Sequence, residues 1–264
     1  MSAVNPGMDA DVFEQFIEQL QRYVRQRLIP VERETIESDE ISPEIVQEMR
    51  DMGLVGLTMP EEHSGSGMNI SQYARTVNAI GYAMPAFRSL ISINIGVFCS
   101  ALKNGGTQAQ KATWLPQVAA GDIAAFGLTE PGWGSDSAGM QTTAVETDQG
   151  WLPNGTKRYI TNAPFAKVAL IMARTSKTNL PKNAHVCSFI VPMDTPGVTI
   201  GKSVVQVTLP SMMLRVFIAM FASTAFMRAR CRSSSFRSQS TCYVNSTTPV
   251  HWSELCTTCS PAYL

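Results

Sequence analysis

Two stretches of the sequence carry residue types that could bind a flat aromatic ring or a phosphate. The first, residues 126–136, reads FGLTEPGWGSD: an apolar run ends in a turn that offers two hydroxyls, Thr129 and Ser135, and two glycines. Apolar runs bounded by turn residues are typical of buried strands. Glycine lets the backbone approach a ligand closely, and exposed N–H groups in such a turn suit an electron-rich ring edge or a phosphate. An ordinary strand-to-loop connection would give the same pattern.

The second stretch, residues 151–162, reads WLPNGTKRYITN. Its Asn154-Gly155 pair predicts a hairpin turn. The residues that follow predict a short strand through Tyr159 and Ile160 that ends in the hydroxyl of Thr161. An aromatic side chain at Tyr159 could pack beside a flat ring, and its alternative role is that of a core residue of the strand.

Together the two stretches resemble the acyl-CoA dehydrogenase family, whose middle domain carries an L-T-E-P-x-x-G-S-D turn and an N-G-x-K-x-[WY]-I-T-N strand. Both motifs occur here in the order and approximate spacing of the family, and the resemblance covers roughly residues 9–202. It implies that FAD is the cofactor. A flavin accepts hydride at N5 and carries negative charge at N1/C2=O when reduced, so neutral donors beside it tune its electronics.

The resemblance also assigns roles to single residues. The family's flavin-binding positions fall on Phe126, Gly127, Leu128, Thr129, Tyr159, Ile160 and Thr161. Thr129 would face the pyrimidine edge of the ring with the backbone of 126–129, and Thr161 would lie near N5. Ser135 would contact the acyl-CoA thioester.

The implied reaction is the introduction of an α,β double bond into an acyl-CoA, within fatty acid metabolism. A carboxylate base removes the α-proton and must lie within hydrogen-bond reach of that carbon. In the family this base is typically a Glu of a C-terminal helical domain, for which the sequence has no match, so we assign no catalytic residue. The implied partners are an electron-transfer flavoprotein-like acceptor and further copies of the chain.

Two alternatives to a working dehydrogenase remain open. One is a truncated, catalytically inactive fragment that binds FAD or acyl-CoA and lacks the base. The other is an oxidase of the same family, which differs in the access of oxygen to the reduced flavin. Bound flavin would distinguish the enzyme from an unassembled fragment, and peroxide formation would identify the oxidase.

Composition bounds the class of protein. The 264 residues have 44% hydrophobic and 16% charged residues and a formal net charge of zero. These values are typical of a soluble globular protein and give no argument for a nucleic-acid partner. The N-terminal residues show no basic or apolar leader pattern, which predicts a cytoplasmic protein with reduced thiols and no membrane anchor.

The predicted fold class is α+β and multidomain. Residues 1–121 predict an N-terminal all-α domain, residues 122–202 an antiparallel, β-barrel-like middle domain that is incomplete, and residues 203–264 a disordered or aberrant tail. The period of the apolar residues changes at Gly121 from helical to strand-like. The candidate strands are residues 122–128, 141–146, 151–153, 157–161, 167–173, 186–191 and 197–200.

Five helices are predicted in the first domain from apolar residues at three- and four-residue steps. Pro30 is expected to end the first, Ser42 to cap the second, and Thr107 to open the fifth with a capping box. The third covers 70–82 and the fourth 85–103. The fourth is apolar all round and is predicted to lie inside the domain rather than in a membrane.

The tail differs from the body of the chain. Residues 203–264 contain no Gly, no Asp and no Lys. A globular continuation would need Gly and Asp for its turns, so a shifted reading frame or an aberrant gene model is one hypothesis. An acyl-CoA dehydrogenase-like continuation in another nucleotide frame after codon 202 would support it. The apolar stretch 212–227 mimics a membrane segment but is short and contains Arg215.

No metal site is predicted. Cys256 and Cys259 form half of a zinc-ribbon pattern that Cys231 and Cys242 could complete, but the irregular spacings favour unpaired cysteines. His63 lies beside two glutamates with no second histidine at ligand spacing, so a solvated loop histidine is the favoured interpretation.

Overall fold

Helices form the first part of the protein. The structure, a computed structural model, describes residues 5–63, 65–148, 150–175 and 185–201 and the backbone of Cys242–Asn245. The α-helices are α1 (Ala10–Tyr23), α2 (Ile29–Ser38), α3 (Pro43–Asp51), α4 (Ile70–Ile80), α5 (Pro85–Ser92), α6 (Ser100–Gly105) and α7 (Gln108–Ala119). Two π-helical segments, Val24–Leu28 and Ile93–Cys99, join α1 to α2 and α5 to α6, and single 3-10 turns lie at Glu61–His63 and Ser137–Gly139.

The predicted helix caps are confirmed. The Ser42 hydroxyl accepts a hydrogen bond from the N–H of Ile45, and at the start of α1, where either Asp9 or Asp11 could serve as the cap, the Asp9 carboxylate accepts from the first backbone N–H groups. Thr107 and Gln110 form the expected capping box at the start of α7. These side chains satisfy N–H groups that have no partner within the helix, which is why the helices begin at these residues.

The prediction that Pro30 ends the first helix is wrong. Helical backbone continues through the π-helical segment Val24–Leu28 into α2, where Pro30 lies in the first turn. Proline has no backbone N–H, so at this position it leaves no donor without a partner. The change from π- to α-helical hydrogen bonding leaves space for its ring. The helix ends instead at Ser38, followed by Asp39 in the left-handed conformation with φ of 58°.

The apolar helix predicted at 85–103 is a continuous helical stretch from α5 through Ile93–Cys99 to α6. Residues Pro85–Gly105 are, among the described residues, long and apolar enough to span a membrane by length and composition. Half of this stretch is buried inside the protein, and Phe98, Cys99 and Leu102 pack against Ala124 and other residues of the sheet. These contacts are those of a core helix that joins the helical part to the sheet.

The second part of the protein is a curled sheet of mixed strand direction. Its strands are β1 (Ala124–Gly127), β2 (Thr143–Thr147), β3 (Gly150–Lys157), β4 (Val168–Thr175), β5 (Val186–Pro192), β6 (Val198–Ile200) and β7 (Cys242–Asn245). The order is β1-β4-β2-β3-β7-β6, with β5 on the other edge of β4. The order of the two parts, helices and then sheet, is as predicted.

The prediction of an antiparallel barrel is wrong in its strand directions. Both β1 and β2 run parallel to β4, whereas β5 is antiparallel to it. The β2–β3, β3–β7 and β6–β7 pairs are antiparallel. Because β1 and β4 pair across an intervening hairpin, β4 can enter the sheet in the same direction as β1. The described strands form a half-barrel.

The hairpin predicted at Asn154-Gly155 lies elsewhere. Both residues are inside β3, where Asn154 pairs with Thr143, and the chain reverses instead between Thr147 and Gly150. Gly150 has a φ of 119°, which only glycine adopts readily, and the Thr147 hydroxyl donates to its carbonyl. Asn-Gly thus gave a turn signal that the sheet pairing overrides.

One segment of the predicted tail is part of the sheet. The backbone of Cys242–Asn245 pairs with β3 on one side and with β6 on the other. The remaining expectations for the tail, its disorder, the apolar stretch 212–227 and a zinc site, lie outside the described residues.

Candidate functional site

The two sequence motifs come together where β1 and β3 end. The N–H of Arg158 donates to the carbonyl of Thr129 at 2.8 Å. One residue earlier in each motif, the Lys157 Nζ donates to the carbonyl of Leu128 at 3.2 Å. The turn after β1 and the loop after β3 therefore form one continuous surface.

A buried ion pair supports this surface from behind. The Lys157 ammonium lies 2.7 Å from Glu130 Oε1, and the exposed fractions of the two side chains are 0% and 3%. The Glu130 carboxylate also accepts hydrogen bonds from the N–H groups of Gln141 and Thr142 and from the Thr142 hydroxyl. Each buried charge has polar partners, which offset the cost of removing it from water.

The pair is held in its charged form. Burial raises the pKa of Glu130, but the hydrogen bonds from Lys157, Thr142 and Gln141 lower it by more, so the net pKa is below its ordinary value. Burial lowers the pKa of Lys157, and the Glu130 carboxylate offsets part of that decrease. Glu130 is therefore committed to structure and is a poor choice for a proton-abstracting base.

The turn after Glu130 is tight. Glu130 and Trp133 exchange two backbone hydrogen bonds, at 3.0 and 3.2 Å, around an exposed Pro131-Gly132 tip. The Trp133 ring lies over Gly139, where an added Cβ would collide with it. The indole thus covers the turn and holds it against the chain leading to β2.

The structure places the predicted residues of the first motif in two environments. Gly127 is buried at the end of β1. A Cβ added at Gly127 would lie 3.2 Å from Cγ of the Lys157 side chain. Phe126, Leu128 and Thr129 are half-buried. Ser135, the predicted thioester contact, is exposed.

The prediction of a short strand over Tyr159, Ile160 and Thr161 is wrong. β3 ends at Lys157, and Tyr159 has a left-handed backbone with φ of 61°. Tyr159 is half-buried with the Arg158 guanidinium 4.7 Å from its ring centroid, Ile160 is buried in the sheet core, and Thr161 is half-buried. A non-glycine residue with positive φ stores strain, and such strain is concentrated at functional sites.

Two buried asparagines fix the start of β1 to its surroundings. Asn94, in the π-helical segment, accepts from the N–H of Ala124 at 2.6 Å and donates to the carbonyl of Asp122 at 3.0 Å. Asn162, at the end of the second motif, donates to the carbonyls of Ala124 and Leu90. Asn162 also has a left-handed backbone, with φ of 71°. The helix, β1 and the loop after β3 thus meet at one residue, Ala124.

Sequence reasoning missed Asn94 and the burial of Lys157. Asn94 is a polar residue inside an otherwise apolar helical run, and a fully buried polar side chain normally has partners. The position of Asn94 in this apolar run therefore indicated that its side chain is buried and hydrogen-bonded. For Lys157 nothing in the sequence beyond its position in the motif indicated burial, because lysine side chains are ordinarily solvated.

The donors at this surface fit an uncharged, electron-rich ring edge. Within the described ranges, the hydroxyls of Thr129 and Thr161 and the N–H of Thr129 make no hydrogen bond to another residue, so they are available to a ligand. All three groups are neutral donors on half-buried residues. Of the charged groups nearby, Glu130 and Lys157 are paired with each other, and the Arg158 guanidinium lies 4.7 Å from the centroid of the Tyr159 ring.

A second concave region lies in the helical part. A cavity of about 450 Å³ opens between the Glu61–His63 turn and helix α7, with Lys103 and Lys111 in its wall. The His63 Nε2 is 3.8 Å from a Glu62 carboxylate oxygen. No group of three His, Cys, Asp or Glu side chains suited to a metal occurs among the described residues.

The fold consists of a helical part followed by a curled sheet. At its candidate site, the loops after β1 and β3 carry the neutral donors of Thr129 and Thr161. Residues 11–122 match the family model described as acyl-CoA dehydrogenase, N-terminal domain, and residues 125–212 match that described as acyl-CoA dehydrogenase, middle domain. The two matches follow one another and together cover most of the chain. The protein belongs to the acyl-CoA dehydrogenase family.

Curated relatives agree with this family assignment. The chain is 34% identical to "Probable acyl-CoA dehydrogenase YngJ" of Bacillus subtilis over 69% of this chain and 48% of that protein. It is 32% identical to the short-chain specific acyl-CoA dehydrogenase of mouse mitochondria over 68% of this chain and 43% of that protein. The chain spans about half the length of the curated relatives it matches.

Solved structures show the same fold. A glutaryl-CoA dehydrogenase from Mycobacterium smegmatis, in complex with FADH2, superposes with a TM-score of 0.69 at 27% identity. The match covers 94% of this chain and 55% of that one.

Proposed function

We propose that this chain carries the flavin-binding part of an FAD-dependent acyl-CoA dehydrogenase. The observation that carries the proposal is the joining of the two motifs, in which the Thr129 carbonyl accepts from the Arg158 N–H and the Leu128 carbonyl accepts from the ammonium of the buried Lys157–Glu130 ion pair. The relatives support it, because the matched domains belong to acyl-CoA dehydrogenases and one similar structure holds FADH2.

The residues would divide the work as follows. When bound, FAD supplies the hydride acceptor of the reaction. The hydroxyl and N–H of Thr129 would donate to the polar edge of its ring, and the hydroxyl of Thr161 would donate beside the reactive nitrogen. Tyr159 would pack against the flat ring, and Ser135 would contact the thioester of the acyl-CoA. None of the described acids is assigned as the base, since Glu130 is paired with Lys157.

The proposal is tested by the absorption spectrum of the full chain after incubation with FAD and removal of the excess. A retained flavin spectrum is expected in the wild type and a weaker one in Thr129→Val and Thr161→Val. Thr113→Val serves as the matched control, because Thr113 is exposed on α7 and bonds only within its helix. A wild-type chain that retains no flavin would refute the proposal.

A panel of acyl-CoA esters added without oxygen then separates the remaining candidates. Bleaching of the flavin by one ester would establish dehydrogenation and its substrate. Retained flavin that no ester bleaches would support the binding fragment without turnover. Peroxide produced in air by the bleached protein would identify an oxidase. The acceptor and the association of copies are part of the same proposal, and addition of an electron-transfer flavoprotein tests the first.

A further inference from the structure

The fully buried Lys157 points to a role beyond support of the fold. Its ammonium makes three contacts: the first to the Glu130 carboxylate at 2.7 Å, the second to the Leu128 carbonyl at 3.2 Å and the third to the Met140 sulfur at 3.9 Å. An ion pair that served only to stabilise the sheet would need the first contact alone. The second contact fixes the orientation of one peptide, the one between Leu128 and Thr129.

The orientation of that peptide determines where the Thr129 N–H points. A trans peptide is planar, with C=O and N–H directed to opposite sides, and the described residues contain no cis bond. Because the Leu128 carbonyl is directed at the Lys157 ammonium, the Thr129 N–H is directed away from it. The next carbonyl, that of Thr129, is held by the N–H of Arg158 at 2.8 Å. Two successive peptides of this turn are thus fixed by the loop after β3.

The charge of Lys157 acts on the same peptide. A cation bound to a carbonyl oxygen polarises the peptide and makes its N–H a stronger donor, an effect that is larger in a buried setting. The Thr129 N–H is the donor that this polarisation strengthens, and it makes no hydrogen bond to another described residue. A stronger donor favours a negatively charged acceptor over a neutral one.

We propose that Lys157 is a positioning residue for the flavin, which orients and polarises the Thr129 N–H toward the ring edge that becomes negative on reduction. This inference rests on the proposed function for the identity of the ligand. If Lys157 acts in this way, the chain binds reduced flavin more tightly, relative to oxidised flavin, than it would without the lysine. Glu130 keeps the ammonium charged and in place.

The test separates positioning from stability with three variants. Lys157→Met removes the charge but leaves Glu130 buried without its counter-ion. Lys157→Met combined with Glu130→Gln removes both charges, which we expect to recover much of the lost stability. Thr142→Val removes one hydrogen bond to Glu130 and leaves the Lys157–Leu128 contact intact, so it is the matched control for a structural disturbance of the pair.

Flavin affinity and potential are the first readouts. For the double variant we expect affinity for oxidised FAD to fall about tenfold, by analogy with the loss of metal affinity when a group that orients a metal ligand is removed. Affinity for reduced FAD should fall further, so the midpoint potential of the bound flavin becomes more negative. Thr142→Val should keep the wild-type potential. A double variant with wild-type affinity and potential overturns the proposal, as does a potential that shifts equally in Thr142→Val.

Amide hydrogen exchange of Arg158 in the flavin-free chain is the second readout. Its N–H donates to Thr129, so its exchange rate reports whether the turn is docked on the loop. We expect faster exchange in the double variant than in the wild type or Thr142→Val, and equal rates would overturn the positioning role without any flavin. If the wild-type chain binds no flavin but the exchange rates differ as expected, flavin is not the ligand. The orientation of the Leu128–Thr129 peptide by Lys157 would then still be established.

Discussion

Substitution of Asn94 gives the sharpest test of how the two parts of the protein are joined. Its amide is fully buried, accepts from the Ala124 N–H at 2.6 Å and donates to the Asp122 carbonyl at 3.0 Å. Asn94→Ala leaves the buried Ala124 N–H and the partly buried Asp122 carbonyl without this partner. At roughly 1–3 kcal/mol for each unpaired group, we expect a loss of about 3 kcal/mol. For a protein of this size, that loss corresponds to a decrease in Tm of about 6–12 °C.

Asn94→Asp adds a test of the hydrogen-bond directions. A protonated Asp can accept from Ala124 and donate to Asp122, as the amide does, whereas an ionised Asp would repel the Asp122 carbonyl. The pKa of the new carboxyl should therefore be raised in the folded protein. The folded state then binds more protons than the unfolded state, so stability falls as pH rises above the unfolded value of about 3.9.

Thermal and urea denaturation of the wild type and both variants between pH 4 and pH 8 would measure these effects. Asn104→Ala is the matched control, because Asn104 is exposed on α6 and its loss should change stability by no more than about 0.5 kcal/mol. The reasoning is refuted if Asn94→Asp is as destabilised at pH 4 as at pH 8. A stability of Asn94→Ala equal to that of the control would refute it as well.

Three further results are expected. Gly155→Ala should lose about 2 kcal/mol in urea denaturation, because its Cβ would lie 2.7 Å from the Thr142 Cα and the backbone must move. Glu130→Gln should lose roughly 3–5 kcal/mol at pH 7, because the Lys157 ammonium stays buried without its counter-ion. The folded pKa of Glu130 is lowered, so the wild type should lose this stabilisation as pH falls below about 4.3, and the stability of Glu130→Gln should change less over that range. Burial raises the pKa of Cys99 to about 12, so peptide mapping after iodoacetamide treatment at pH 8 should find Cys99 unmodified in the native protein and modified after denaturation.

Local signals in the sequence were reliable where one or two residues decide the outcome. The caps at Ser42 and Thr107 are as predicted, because a cap depends on a side chain and the N–H groups next to it. The proximity of the two motifs was also foreseeable, since it follows from a family resemblance that spans both. The ligand roles of single residues such as Thr129 and Ser135 stay predictions.

Signals failed where a distant part of the chain overrides a local preference. Asn154-Gly155 favours a turn, but pairing with β2 and β7 keeps it extended. Pro30 breaks a regular α-helix, but the π-helical segment before it accommodates the ring. The sequence predicts a short strand at Tyr159, yet the backbone of this residue is left-handed, with a φ of 61°. No window of a few residues contains these causes.

Strand β4 has a consequence for the time course of folding. It contacts β1, β2 and β5, and its pairing with β1 joins Ala124 to Val168. Contacts between residues so far apart form slowly, whereas the helices depend mainly on neighbours in sequence. We therefore expect the helical part to reach its native structure first, while the apolar β4 waits for its partners and is open to association with other chains. The yield of refolded protein should then fall as the protein concentration during refolding rises, and it should depend less on the stability of the folded state.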